Sequence, residues 1–464
     1  MGKDIWETTA AIRTELGDNA LQIAAIGPAG ENLVKFATVA CNNSRMCGRT
    51  GMGCLFGSKH LKAIVVRGSH PVTVADTLAY RELCETVDQK ILAHPEFERR
   101  RALGTNMLMT GLNGLGILPT NHFQKGVCEY VDRISGERLA RDYKVKNKSC
   151  FNCNVHCSRY YVTGEVESEG PEFETLCTYS SRLGNDDLEF ALKMNVFLNR
   201  MGMDSVSSGE TLGWAMECTQ RGLLTKDDLD GIDLTWGNRE AIEKILHMIV
   251  YREGVGDAFA EGTRSLARRF GNGTDAFAFH VKGLDLICGD PRGIKAYGLT
   301  YAIASRGGDH LRAEPFFELT ERYDEAERRF GTRDAADRLA ENGKAALVDY
   351  SERLALMTDC LTMCKNIGLC MDILNFESSS RLLQAGTGLK FTPEKVDEIL
   401  KNHIVTDRLL NIEFGVESSM DTLPARFTRE PLEEGPSRGS VVNIEEMVQA
   451  YYRIKGWDEK GNPR

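Results

Sequence analysis

The stretch Leu21-Gln22-Ile23-Ala24-Ala25-Ile26-Gly27-Pro28-Ala29-Gly30-Glu31-Asn32 sets the character of the chain's opening. Leu21 to Ile26 reads as a short buried strand that runs into a glycine turn. After it, Val34 to Cys41 alternates well enough to predict a second strand. Further on come Arg45-Met46-Cys47-Gly48-Arg49-Thr50-Gly51-Met52-Gly53 and a third strand-like run, Ala63-Ile64-Val65-Val66. Upstream, residues 4–16 have a helical pattern. Residues 1–70 therefore read as a β-rich unit with glycine-dense connections, and beyond Pro71 the period becomes helical.

Working outward, Asp186-Asp187 can cap a helix carrying Leu188, Ala191, Met194, Leu198 and Met201, which stops near Gly202. Residues 239–251 and 257–270 predict two more helices, the first closed by Gly254. Leu347 to Lys365 predicts another, with Cys360 and Cys364 four apart on one face. From about Glu430 the tail is polar and proline-spotted, and is expected to wrap a surface. A chain of 464 residues allows about three domains at ~150 residues each. The fold expected is α+β, with a β-rich unit at 1–70 and mainly helical domains at 71–279 and 280–464. With 42% apolar and 27% charged residues the composition is globular. A net charge of −10 argues against nucleic acid or an anionic bilayer as the main partner. No apolar run reaches the ~20 residues of a membrane helix, and the opening MGKDIWETTA lacks a signal-peptide core. The chain is expected in the cytoplasm.

Fourteen cysteines in a chain without an export signal point to metal ligands, redox groups or small buried hydrophobes rather than a disulfide framework. Cys84, Cys128, Cys177, Cys218 and Cys288 sit singly and read as core. Cys150-Phe151-Asn152-Cys153-Asn154-Val155-His156-Cys157 is different: three thiols within eight residues can face one centre. Four thiolates hold an iron–sulfur cluster, commonly three from a local run and one from afar. Zinc would accept four cysteines, or three with His156, although no second close pair is present. Inert packing is the third reading. Cys360, Cys364 and Cys370 are the candidates for a fourth ligand, and spacing alone does not choose among them.

Several segments in order resemble the tungsten-dependent aldehyde:ferredoxin oxidoreductase family. They are Ile26 to Phe36, Gly48 to Gly53, Gly57 to Ile64, Gly170-Pro171-Glu172-Phe173-Glu174, Gly202 to Gly209, Asp290-Pro291-Arg292-Gly293, Arg306-Gly307-Gly308-Asp309-His310, and Tyr451 to Trp457. The resemblance implies a tungsten (or molybdenum) ion held by two pterins, with one [4Fe–4S] cluster nearby. It assigns the cluster to Cys150, Cys153, Cys157 and Cys364, leaving Cys360 and Cys370 as bystanders. The family's two pterin motifs fall on Asn199-Arg200-Met201-Gly202-Met203-Asp204 and on Asp359 to Cys364, the latter including Met363. Arg45, Met46 and Gly48 fall where the pterin phosphate and bridging Mg2+ contacts occur, Met46 offering its carbonyl. Asn199 replaces the family's first aspartate and Thr362 a glycine. Relative to the family the chain begins well inside the first domain, so a separate chain supplying that portion, or a homodimer, is an expected partner.

The reaction implied is oxidation of an aldehyde to a carboxylic acid, with electrons leaving through the cluster to ferredoxin. By motif, Glu174 is the base and His310 the hydrogen-bond donor to the carbonyl. On their own residues, Glu174 reads as a helix-start charge and His310 as a loop histidine. The Gly27–Gly30 and Gly48–Gly53 turns suit phosphate approach or plain strand connection. The second is GxxGxG, not GxGxxG, so a nicotinamide site is rejected. Two other functions compete: a benzoyl-CoA reductase-like catalytic subunit acting on an aromatic acyl thioester, and a cluster-binding electron-transfer subunit without tungsten.

Overall fold

The computed structural model describes residues 1–164 and 166–464. Its first helix, Ile5–Leu16, starts at a capping box: Asp4 accepts from the Glu7 amide and the Glu7 side chain returns to the Asp4 amide. Next comes an antiparallel sheet of β1 (Gln22–Ala25), β2 (Ala40–Cys41), β3 (Arg45–Met46) and β4 (Ala63–Val66), in the order β3-β2-β1-β4. Ala24 faces Cys41 and Gln22 faces Val66.

The expected strand Val34–Cys41 survives only at Ala40–Cys41. Its backbone groups go elsewhere. Thr38 N–H donates to Gly202 O, and Phe36 O accepts from Asp204 N–H, so residues 36–38 are tied to the link between two helices. Gly27 joins the same contact, since a Cβ there would strike the Met201 carbonyl. The glycine turn thus serves close helix packing.

The two linked helices are Leu188–Met201, capped by Asp187, and Ser205–Gln220, capped by Asp204. Every residue from Val206 to Cys218 is buried. This helix therefore shows no amphipathic stripe, and its two glutamates need internal partners. Glu210 and Glu217 flank His122, whose Nε2 lies 3.0 Å from Glu210 and whose Nδ1 lies 2.9 Å from Glu217. Arg182 pairs with Glu210, and Arg426 donates twice to Glu217 at 2.9 and 2.6 Å.

Three helix expectations change. Arg239–Tyr251 closes at Arg252, which itself adopts the left-handed conformation ahead of Gly254. Residues 257–270 split into Val255–Phe259 and Thr263–Phe270, because Gly262 at φ +84° breaks the run. The helix over the late cysteines runs Lys344–Cys360 and stops there; Thr362 at φ +53° turns the chain. Cys360 and Cys364 therefore do not share a helical face. The tail does more than wrap a surface: helix Ile444–Lys455 buries Tyr451 and Tyr452. The main apolar core draws on residues from Ala29 to Trp457, and a separate small cluster of Ile91, Phe97, Val155, Met371 and Ile373 packs against Cys153 and Cys157. No helix among the described residues is long and apolar enough to cross a membrane.

A second sheet, not anticipated from sequence, frames the early cysteines: β5 (Lys144–Lys148), β6 (Ser158–Val162) and β7 (Glu167–Glu169), in that order. Lys148 faces Ser158, so the segment 149–157 is the closed connection of a hairpin.

Candidate active site

Glu174 and His310, 136 positions apart, both line a cavity of about 270 Å³. Its walls are otherwise mostly apolar, with Phe173, Ile287, Tyr297, Tyr301 and Phe316 among them. Glu174 lies in the first turn of the short helix Phe173–Thr178, and its Oε2 accepts the Cys288 amide at 2.8 Å. Burial pushes its carboxyl up to about 8 against the opposing pull of His310, that amide and Arg49. Burial also lowers His310, though Glu174 and Asp309 pull the other way. The pair thus favours a neutral acid and a neutral imidazole.

The loop carrying His310 is held by what lies beneath it. β8 (His280–Val281) and β9 (Leu284–Asp285) form a hairpin, and a Cβ on Gly307 (φ +102°) would strike the Val281 carbonyl. Only glycine tolerates both that angle and that approach. Asp309 pairs with Arg306 and accepts the Leu311 amide at 2.7 Å. Buried polar atoms without a partner gather along this loop: Arg306 Nε, His310 Nδ1, Arg312 Nε and Glu314 Oε2, with Asp285 Oδ1 on the hairpin.

Three participants escaped the sequence reading. Arg49 donates to Gly308 O at 3.0 Å and to Asp285 O at its other Nη, and its Nε lies 3.4 Å from Asp204 Oδ2. It sits inside the Gly48–Gly53 segment that was noticed, but nothing local distinguishes it from a solvated arginine. Cys288, read as plain core, anchors Glu174 through its amide. Glu314 lines the cavity one turn beyond His310 and accepts the Cys370 thiol at 3.7 Å. Burial pushes Glu314 up to about 7. Its spacing of four from His310 is the only signal the sequence held.

The residues assigned to pterin contact are distributed as follows. Gly202 (φ +74°) ends one helix and Asp204 caps the next, its oxygens taking the Val206 and Ser207 amides as well as Arg49. Met203 is buried, bridging to Ala37, and Asn199 is half-buried on the last turn before Gly202. A polar hollow of about 320 Å³ beside Asp204's helix is walled by Thr50, Gly51, Ser207 and Asp285. Burial pushes Asp285 up to about 7. Asp359 is exposed at the end of its helix, 2.7 Å from Lys365 and 3.6 Å from Arg312, with Met363 half-buried beyond it. Arg45 pairs with Glu169, Met46 Sδ lies 3.6 Å from the Thr38 hydroxyl, and Gly48 has φ +66° with open space around it.

The hairpin loop brings Cys150, Cys153 and Cys157 towards Cys364. Burial pushes the Cys157 thiol up to about 12, with Glu172 and Cys364 adding to the effect. Cys364 is also raised by burial, and Cys153 and Cys150 are the cysteines acting on it. Amides of Ile367 and Asn366 point at its sulfur. Burial raises the Cys360 thiol, with Asp359, Arg312, Asp407 and Lys365 as the charges acting on it. Among the described residues, no three His, Cys, Asp or Glu side chains converge tightly enough for a single metal ion.

Residues 1–68 match the aldehyde ferredoxin oxidoreductase N-terminal domain, and residues 82–464 match domains 2 and 3 of the same family. The chain belongs to the aldehyde ferredoxin oxidoreductase family. It is accordingly an oxidoreductase. It is 38% identical to the tungsten-containing aldehyde ferredoxin oxidoreductase of Pyrococcus abyssi, over 99% of this chain and 75% of that protein. The Pyrococcus horikoshii enzyme of the same name is 37% identical over the same shares. In three dimensions the chain is similar to the active-site complex BamBC of benzoyl coenzyme A reductase, solved with 1,5-dienoyl-CoA. That match has a TM-score of 0.81 at 23% identity, covering 100% of this chain and 75% of the other. At that identity it speaks for the fold of the aldehyde ferredoxin oxidoreductase family, not for a shared substrate.

Proposed function

We propose that this chain oxidises an aldehyde to a carboxylic acid at a tungsten bis-pterin site. Electrons would pass through a [4Fe–4S] cluster on Cys150, Cys153, Cys157 and Cys364 to ferredoxin. The observation that carries the reading is the placement of Glu174 and His310 in one apolar cavity. The residues present fit a polar cofactor beside it. Arg306 Nε, His310 Nδ1, Arg312 Nε and Glu314 Oε2 on the His310 loop, and Asp285 Oδ1 on the hairpin, are buried without a hydrogen-bond partner, and each such atom costs about 1–3 kcal/mol until something bonds it. Asp204, Arg49 and Asp285 on one side, with Arg306 and Arg312 on the other, would hold the pterins. Arg45, the Met46 carbonyl and Gly48 would meet the phosphates and Mg2+.

When bound, the tungsten–pterin supplies the two-electron oxidation, so that RCHO + H2O becomes RCOOH with two protons and two electrons released. The chain's own residues handle the carbonyl and the protons. Neutral His310 donates a hydrogen bond to the substrate oxygen and so draws charge from the carbonyl carbon. Glu174, held by the Cys288 amide, takes the proton of the attacking water once ionised, and because burial raises its carboxyl to about 8 that form gains population as pH rises towards 8. The walls formed by Phe173, Tyr297 and Phe316 exclude bulk water and favour an aromatic or branched apolar group on the aldehyde.

The test is a panel of aldehydes and benzoyl-CoA offered to anaerobically purified enzyme, with a viologen dye as acceptor and tungsten and iron measured on the same sample. Aldehyde-dependent dye reduction with tungsten present is the expected result. Turnover of benzoyl-CoA alone, or iron without tungsten or molybdenum, overturns it.

A further inference from the structure

We propose that Val145, Lys146, Lys148 and Phe151 form the docking surface for a small, acidic one-electron carrier protein. The proposal rests on the reading above that the neighbouring thiols hold a cluster. Three observations carry it.

The first is an aromatic ring with no protein neighbour to explain it. Phe151 is 102% exposed, although it lies between Cys150 and Cys153 in the loop, and Val145 is 61% exposed on the adjoining strand. A fully solvated phenylalanine gains nothing for the fold, whereas a partner that covers it removes its apolar surface from water.

The second is charge. From Tyr143 to Arg159 the sequence carries Lys144, Lys146, Lys148 and Arg159 and no acidic residue, in a chain where Asp and Glu number 67 against 57 Lys and Arg. Lys144 is turned inward to the Ala102 carbonyl at 3.1 Å and Arg159 is buried, which leaves Lys146 and Lys148 as the outward pair. Their Nζ atoms stand 5.2 and 6.0 Å from the centre of the Tyr160 ring, which holds both ammonium groups on one side of the sheet. Glu172, the carboxylate that acts on Cys157, is engaged by Thr105 and Arg159.

The third is position. β5 is the outer strand of its sheet, and the Lys148–Ser158 pairing fixes these lysines at the mouth of the cysteine loop. Lysines on an outer strand also discourage unwanted strand pairing. That role accounts for Lys146 and Lys148 but leaves Phe151 unexplained. An acidic partner accounts for all four residues, because opposite charge steers the encounter and an apolar centre holds it.

The experiment uses the anaerobic holoenzyme with one aldehyde and two acceptors, a bacterial [4Fe–4S] ferredoxin and benzyl viologen. For K146E/K148E the ferredoxin KM is expected to rise about tenfold and its dependence on salt to flatten, while the viologen rate stays within about twofold. Phe151→Ala should weaken ferredoxin binding, measured directly by titration, about three- to tenfold and leave the salt dependence in place. An unchanged ferredoxin KM in K146E/K148E, with viologen activity intact, overturns the docking surface. So does a change in oligomeric state by sedimentation, because the patch would then join copies of this chain. Wild-type enzyme that oxidises no aldehyde with either acceptor would instead remove the functional reading beneath it.

Discussion

Two of the molecule's buried clusters of charge are finished to different degrees. Around helix Ser205–Gln220, both ring nitrogens of His122 and the carboxylates of Glu210 and Glu217 have partners, with Arg182 and Arg426 closing the set. Along the His310 loop and its hairpin, Asp285, Arg306, His310, Arg312 and Glu314 each keep a buried polar atom without one. The first arrangement leaves only Arg182 Nε without a partner among those groups, and it ties the buried helix to the segments bearing His122 and Arg426. The second leaves polar atoms unbonded at a cost, and these are atoms that the proposed cofactor would bond.

The contrast can be broken most severely at the cysteine loop. Cys153→Ala should lose the broad visible absorbance and about four irons per chain expected of a [4Fe–4S] protein, whereas Cys218→Ala should keep both. Equal iron in the two variants would undo the ligand assignment.

Next in size is Glu174→Gln, which should lower aldehyde turnover by ~10²- to 10⁴-fold with tungsten and iron contents unchanged. Undiminished turnover would take Glu174 out of the chemistry. A comparable energy, now in stability, attaches to the first cluster. Glu217→Ala strips the carboxylate from His122 Nδ1 and from both Nη atoms of Arg426, leaving His122 only Glu210 and Arg426 only Glu430 as acidic partners, and should cost about 3–5 kcal/mol in chemical denaturation.

Acid and alkali should act on the two clusters in opposite senses. Hydrogen bonds and charge from His122 and Arg426 overcome burial and hold Glu217 down at about 2. Its contribution is present above the ordinary glutamate value near 4.5 and is lost as pH falls towards 2. Glu174 at about 8, and Asp285 and Glu314 at about 7, bind their protons more tightly when folded than unfolded. Cofactor-free protein should therefore lose stability as pH rises from about 4.5 to 8. A denaturation midpoint flat across both windows would contradict the scheme. The smallest effect is Glu314→Gln, expected to change stability by less than about 1 kcal/mol at pH 6 and to blunt the alkaline loss.

What was legible in the sequence follows the range of the forces involved. Strands at Gln22–Ala25 and Ala63–Val66 and the helix ending at Gly202 were readable because local period, caps and glycine agree. Val34–Cys41 misled because its alternation was outweighed by backbone bonds to Gly202 and Asp204, more than 160 positions away. Leu347–Lys365 misled because Thr362 takes a left-handed angle that its side chain does not advertise. Glu174 and His310 were singled out through motifs, and the cysteine loop through its spacing. Arg49 and Cys288 were not, since each acts through contacts that exist only after the chain has folded back on itself.

That folding back carries a consequence for biogenesis. Arg49 bonds to Gly308 across 259 positions. At a synthesis rate of about 5–20 residues per second, the arginine waits roughly 13–52 s for its acceptor to leave the ribosome. Throughout that interval the clasp cannot shut. A nascent chain therefore keeps the Arg49 and Gly308 sides of the site apart until the later segment has emerged.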